Sequence, residues 1–97
     1  MTLTFKGKVW QYPGAGGWHF VTIGKAASRN IKEAARLVPK SFGSLHVEAQ
    51  IGKTKWRTSI FPTKEGTYLL AIKADVRKRE GIKTGDTVNI RFTLFIQ

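Results

Sequence analysis

Six stretches of the chain show the alternation of apolar and polar residues, or the enrichment in β-branched and aromatic residues, that is typical of β-strands. In the first stretch, residues 3, 5, 7 and 9 are expected to point to one side of the strand. Residues 4, 6, 8 and 10 are expected to point to the other side. The last alternates from Val88 to Ile96, and these apolar residues are expected to face the core. The predicted strands are Leu3–Gln11, Trp18–Ile23, Leu45–Ile51, Thr54–Phe61, Thr67–Lys73 and Thr87–Ile96.

Two segments have helical spacing. The main predicted helix runs from Gly24 to Val38, with Ser28 as its N-cap and Pro39 as its stop. Its apolar stripe consists of Ile31, Ala34, Ala35 and Val38. A short basic helix is predicted over 74–80, and Gly81 is expected to end it in the left-handed conformation.

Short strands separated by glycine-containing turns indicate a closed, mainly β structure. The turns are predicted at Pro13–Gly17, at Gly52-Lys53 and at 62–66, and Asp86 is expected to bond nearby backbone amides. The pattern favours one domain over residues 1–97, a six-stranded β-barrel capped by the main helix and carrying a second short helix.

Charge is the unusual feature of the composition. The chain has 17 Lys and Arg against 6 Asp and Glu, a formal net charge of +11. Such a balance favours a polyanionic partner, which would be nucleic acid, an acidic protein or an anionic surface, while the alternative is a solvated surface with no partner. No cysteine, signal-like segment or long apolar run is present, which predicts a cytoplasmic protein with no membrane contact. Six strands are enough to close a barrel from one chain, so we expect a monomer.

The residues that could support catalysis or metal binding are few and scattered. His19 and His46 each lie in a predicted strand, without a second metal ligand at suitable spacing. Ser59 lacks a nucleophile motif around it, and Glu48 is isolated from any other carboxylate. We therefore expect no catalytic residue, no metal site, no cofactor and no enzymatic activity.

A basic face is the first candidate binding site. Lys53, Lys55 and Arg57 alternate along one strand, so their side chains point to one face. With the cations of the short helix and exposed aromatic rings they would form a groove for nucleic acid of any sequence. The alternative has Trp56 in the core beside a solvated strand face. The candidate residues are Lys53, Lys55, Trp56, Arg57, Lys73, Arg77, Lys78 and Arg79.

A small-anion site at the mouth of the barrel is the second candidate. Arginine offers a planar fork to carboxylate or phosphate, and aromatic rings often line such pockets. The polar candidates are Arg57, Ser59, Tyr68 and Lys73. The aromatic candidates are Trp10, Tyr12, Trp18, Phe20, Trp56 and Tyr68. The alternative is core packing, which we favour for Phe20, Phe61 and Phe92 and leave open for Trp10 and Trp18.

Three segments resemble a known family: 56–62, the G-x-Y-L-L run at 66–70, and V-R-K at 76–78 followed by Gly81-Ile82 and Gly85-Asp86. The chain resembles a bacterial and archaeal domain family of unknown function that is often fused to an OmpD-associated, bacteriocin-protection-type region. The resemblance covers nearly the whole chain and implies a double-split β-barrel, similar to AbrB and MazE DNA-binding domains. The sequence from Gly81 to Val88 is like their G-I-x-x-G-D-x-V turn. Together these observations predict a non-enzymatic β-barrel binding or accessory module.

Overall fold

The computed structural model describes residues 2–14, 16–37 and 44–95. All six predicted strands are confirmed, with ends that shift by no more than about two residues. In chain order the elements are β1 (Thr2–Gln11), β2 (His19–Ile23), α1 (Lys25–Ala34) with a short 3-10 helix (Ala35–Leu37), β3 (Leu45–Ile51), β4 (Thr54–Pro62), β5 (Tyr68–Ala71), α2 (Ala74–Glu80) and β6 (Thr87–Leu94).

The strands form a closed antiparallel barrel in the order β1-β2-β5-β4-β3-β6. The first and last strands complete the ring, with partners running from Thr2 opposite Thr93 to Lys8 opposite Thr87. Closure from a single chain satisfies the backbone groups that an open sheet would expose at its edges. The predicted mainly β barrel with two helices is therefore confirmed.

The core fills the barrel with the inward-facing residues of every strand. The predicted inward residues of β3 and those of β6 up to Leu94 are buried, and Phe92 is the largest of the fully buried side chains. Gly7 also faces inward, where a β-carbon in its place would collide with the side chain of Val21. The predicted inward position of Ile96 lies outside the described residues.

The two ends of the barrel carry different elements. The α1 end carries α1 and the β4–β5 turn, because β2 runs toward Ile23 and β4 runs toward Pro62 at that end. The α2 end carries the β1–β2 loop, the β3–β4 turn and α2. Among the described residues, neither helix is long and apolar enough to cross a membrane.

The prediction that Ser28 caps the main helix is wrong. The helix begins at Lys25 with Gly24 as its N-cap, and Ser28 lies within it, 1% exposed. Its hydroxyl donates to the Ile23 carbonyl at 2.9 Å and accepts from the Tyr68 amide at 3.0 Å. The need to satisfy two buried backbone groups determines the position of this serine. The predicted helix end at Val38 and stop at Pro39 lie outside the described residues.

The predicted turn chemistry around α2 is confirmed. Gly81 ends the helix in the left-handed region, with φ 64° and ψ 35°. The Asp86 carboxylate accepts a hydrogen bond from the Lys83 amide at 2.9 Å. Glu80 joins α2 to the barrel, because its carboxylate accepts from the Thr54 hydroxyl at 2.6 Å.

Candidate functional site

Trp56 does not lie on the surface of the barrel as a stacking platform for nucleic acid would. It faces the core and is 6% exposed, because residues 54, 56, 58 and 60 alternate inward along β4. Its indole Nε1 is buried and has no hydrogen-bond partner among the described residues. Trp56 therefore belongs to the core, as the alternative interpretation of the sequence had it.

The three cations predicted to share one face of the β3–β4 hairpin are all exposed. Lys53 occupies the turn, and Lys55 and Arg57 point outward from β4. The Arg57 guanidinium lies over the Phe95 ring, 5.1 Å from its centroid. Glu48 is paired opposite Arg57 on β3 and places a negative charge on the same wall. The net positive charge of this hairpin face is therefore smaller than the cations of β4 alone would give.

The cations on or beside α2 lie at the same end of the barrel as the β3–β4 turn, and Thr54 of that hairpin bonds to Glu80 of α2. Arg79 forms an exposed ion pair with Asp75 at 3.3 Å. Arg77 is half-buried and turns toward β2, where its Nη1 lies 2.8 Å from His19 Nδ1. Lys73 and Lys78 are exposed. A basic surface shared by the hairpin and α2 therefore stays a prediction, although Arg77 and Arg79 each already contact another side chain.

The four residues predicted to hold a small anion are not close together. Arg57 and Ser59 lie on the outer wall, Tyr68 lies at the α1 end, and Lys73 precedes α2 at the opposite end. Ser59 instead contacts His46, with 3.3 Å between the hydroxyl and Nδ1, because β3 and β4 pair these residues. That contact depends on the strand register, which alternation within one strand does not reveal.

Four aromatic side chains form a cluster on the outside of the barrel, and we call it the aromatic face: Trp10, Tyr12, Trp18 and Phe20. Trp10 and Phe20 are partners across β1 and β2, with ring centroids 5.3 Å apart. Trp18 stacks on Phe20 at 6.2 Å with an interplanar angle of 11°. Tyr12 contacts both Phe20 at 6.3 Å and Trp10 at 6.5 Å.

Two of these rings are open to solvent. Trp18 is 59% exposed and Tyr12 is 52% exposed, while Trp10 and Phe20 are half-buried. The prediction that Phe20 and Phe61 are core residues is wrong, because both point outward and Phe61 is 44% exposed. The prediction for Phe92 is confirmed. Large exposed aromatic rings gathered on one surface mark an interaction site more often than scattered ones do.

The glycine-rich loop positions the exposed tryptophan. Gly14, Gly16 and Gly17 all have positive φ, and the loop closes where the Tyr12 amide donates to the Trp18 carbonyl at 2.8 Å. A β-carbon at Gly16 would lie only 3.2 Å from the Trp18 indole. The glycines therefore allow the loop to fold against the indole. The signal in the sequence that could have indicated this aromatic site was the glycine run flanked by aromatic residues.

Cations border the aromatic face along β1. Lys6, Lys8 and Trp10 occupy successive outward positions, about 7 Å apart along the strand. Both lysines are exposed, and their partners across β6 are the uncharged Asn89 and Thr87. A row of positive charge therefore leads directly to the exposed rings, with no acid beside it on either neighbouring strand.

His19 lies on β2 between Trp18 and Phe20, and it alternates inward with Val21. Its Nδ1 is 2.7 Å from the Gly17 carbonyl oxygen and 2.8 Å from Arg77 Nη1. A proton on Nδ1 would be donated to the carbonyl, whereas a bare Nδ1 would accept from the guanidinium. The tautomer therefore decides whether Nδ1 bonds to the loop or to α2. Among the described residues, no group of three or more His, Asp or Glu side chains could hold a metal ion.

Comparison with known proteins identifies the family of this barrel. No curated protein matches the chain at a significant level. The family described as "Domain of unknown function (DUF1905)" matches residues 5–92, which include the aromatic face, all of β2 to β5 and most of β1 and β6. The chain therefore belongs to the DUF1905 family of domains of unknown function.

Proposed function

We propose that this domain binds single-stranded nucleic acid, largely without regard to sequence, through the aromatic face. The observation that carries the proposal is the exposure of Trp18 and Tyr12 on the outer wall of the barrel. Unpaired bases stack on such rings, and each stacked base contributes about 1–3 kcal/mol. A base pair inside a duplex does not offer its ring face in this way, so single strands are the favoured ligand.

The charge distribution supports the same ligand. A single strand has a phosphate beside every base, and Lys6 and Lys8 lie next to the rings on β1. Neither lysine has an ion-pair partner among the described residues, so both are free to contact phosphate. The net charge of +11 adds a long-range attraction to any polyanion.

Sequence tolerance follows from the side chains at the site. Base-specific recognition needs hydrogen-bonding groups that are directed at base edges. The Trp10 Nε1 group already donates to the Thr22 hydroxyl at 3.0 Å. Trp18 and Phe20 otherwise present ring faces, and every base has a face that can stack.

Fluorescence anisotropy of a labelled single-stranded oligonucleotide, in a salt series of roughly 50 to 300 mM, tests the proposal. Replacing Trp18 by alanine should weaken binding by about tenfold, the loss of one stacked base. The change Lys8→Glu should weaken binding and flatten the salt dependence, whose slope is about −0.7 per phosphate contacted. Lys64→Glu, at the α1 end, is the matched charge control.

Two results would overturn the proposal. One is wild-type affinity in Trp18→Ala, and the other is an equal loss from Lys64→Glu, which would show bulk attraction alone. The variant Arg57→Glu separates the aromatic face from the basic hairpin face that the sequence suggested. A loss confined to Arg57→Glu would locate binding on the hairpin and not on the aromatic face.

The proposal is of a binding module and not of an enzyme. Ser59 lies near His46, but no carboxylate among the described residues hydrogen bonds to that histidine. A screen of hydrolase and phosphatase substrates tests this part. Turnover that Ser59→Ala abolishes would show that the domain is an enzyme.

The finer parts of the resemblance stay predictions. AbrB-type domains bind DNA as intertwined dimers, whereas this chain closes its barrel alone, so the proposal does not rest on their binding mode. An accessory role beside an OmpD-associated region would require a protein partner. A specific partner recovered with the domain, without affinity for oligonucleotides, would favour that role.

A further inference from the structure

A second site lies at the opposite end of the barrel from α2. A groove of about 340 Å³ separates α1 from the β4–β5 turn. That volume falls at the lower end of the range for small-molecule pockets, about 300–1,000 Å³. The groove residues that matter for its chemistry are Lys25, Arg29, Lys32, Thr63, Thr67 and Tyr68.

Three cations line one side of this groove. Lys25, Arg29 and Lys32 are spaced at i, i+4 and i+7, which places them on one face of α1. All three are exposed, and none makes an ion pair or hydrogen bond with a described side chain. The acidic residue on the lining, Glu65, is likewise unpaired. The groove therefore carries an excess of two positive charges.

The start of α1 adds to this positive potential. Gly24 provides no side-chain cap, and the first turn contains no acidic residue. The first amide groups of a helix have no partner within the helix and carry a partial positive charge. Lys25 is the first helical residue and also lines the groove, so the uncapped end of the helix lies beside it.

A buried tyrosine completes the lining. Tyr68 is 7% exposed, and its hydroxyl has no hydrogen-bond partner among the described residues, although it is not sealed from solvent. Burial raises the pKa of the phenol above its ordinary value of 10.0, so the hydroxyl keeps its proton at neutral pH. An unpartnered donor in a groove lined by cations fits an acceptor-rich anion.

The turn opposite the helix is held in shape by its own hydroxyls. Thr63 and Thr67 bond through their side chains at 2.7 Å, and the Thr67 amide donates to the Thr63 hydroxyl at 3.3 Å. On the other side, Ser28 fixes α1 to the Tyr68 backbone. Both walls of the groove are therefore anchored before any ligand binds.

We propose that this groove binds the phosphate group of a small phosphorylated molecule. Several cations, a helix N-terminus and a neutral hydroxyl donor together match the charge and the several acceptor oxygens of a phosphate. The site is independent of the aromatic face, because it lies at the α1 end and shares no residue with that face.

Isothermal titration calorimetry of the whole chain tests the proposal with three probes that carry no base to stack on the aromatic face: inorganic phosphate, ribose 5-phosphate and ribose. We expect the two probes with a phosphate group to bind and ribose not to bind. Arg29→Gln should weaken binding by about tenfold or more, the effect of losing a charged hydrogen bond. Lys78→Gln, an exposed lysine on α2, is the matched control and should bind like the wild type.

Spectra that resolve individual amides separate the groove from general attraction. Amide shifts upon titration with phosphate should concentrate on Thr63 to Tyr68 and on the first turn of α1. Tyr68→Phe keeps the ring and removes only the hydroxyl, so it should fold normally and bind several-fold more weakly.

Three results would overturn the proposal: no binding up to about 10 mM probe, equal losses in Arg29→Gln and Lys78→Gln, or shifts that avoid the groove. A 5′-phosphorylated oligonucleotide distinguishes the source of the phosphate. Tighter binding than its unphosphorylated form, lost in Arg29→Gln, would identify a strand terminus as the ligand. Equal binding of the two forms, with ribose 5-phosphate still bound, would identify a free small phosphate.

Discussion

Removing the Ser28 hydroxyl should destabilise the barrel more than any comparable serine change. Ile23 and Tyr68 are partners across β2 and β5, and the hydroxyl lies between the carbonyl of one and the amide of the other. It thus bridges the last pair of the ladder while belonging to α1. The Ser28→Ala variant keeps the helix propensity and deletes only this bridge.

The magnitude follows from the two groups left unsatisfied. The serine is 1% exposed, so water has little access to the vacated position. A buried backbone group without a partner costs about 1–3 kcal/mol, so two such groups should lower the free energy of unfolding by about 3 kcal/mol. For a domain of this size, that corresponds to a drop of roughly 12–24 °C in Tm.

Urea denaturation followed by tryptophan fluorescence measures the change, with Ser59→Ala as the matched control. Ser59 is half-buried and its hydroxyl makes one side-chain contact, 3.3 Å to His46, so its removal should change stability by less than about 0.5 kcal/mol. A loss below about 1 kcal/mol in Ser28→Ala would refute the reasoning. Such a result would mean that β2 and β5 move together and that the Tyr68 amide donates directly to the Ile23 carbonyl.

Three further predictions concern other contacts of the barrel. Burial raises the pKa of Tyr68, so this phenol ionises at a lower pH in the unfolded state than in the folded state. The free energy of unfolding should therefore fall above about pH 10. Tyr68→Phe should lessen that fall in urea titrations from about pH 9 to 11. Gly7→Ala should cost about 1–3 kcal/mol in the same assay because its β-carbon meets Val21, whereas Gly24→Ala, at φ −59° with open space around it, should change stability little. Thr54→Val removes the hydrogen bond to Glu80 and should lower the free energy of unfolding by about 1.5–3 kcal/mol. Thr58→Val, which loses no such bond, is the control. A loss in Thr54→Val no larger than that in Thr58→Val would contradict this account of how α2 is held.

The elements of this protein could be predicted from local pattern. Alternation placed Val9 inward and Trp10 outward, and the structure has both orientations. The left-handed conformation of Gly81 and the carboxylate of Asp86 in its turn were also predictable, because each depends on residues only a few positions away. Period-two alternation and turn chemistry are properties of neighbouring residues, so they can be deduced before the fold is known.

The sites depended on contacts between distant residues. Phe20 was assigned to the core because aromatic residues usually bury their area, but its strand neighbour Val21 took the inward position. Cross-strand pairing with Trp10 then built the aromatic face. The groove at the α1 end brings Arg29 near Tyr68, two residues separated by almost forty positions in the chain.

Sequence alone determined the strands, the turns, the closed mainly β architecture and the excess of positive charge. Tertiary structure alone decided that β5 lies between β2 and β4, that Ser28 bridges β2 and β5, and which aromatic rings meet solvent. The physical reason is that strand order and register are set by which distant apolar faces pack together. The periodicity of a single strand is the same for every such arrangement.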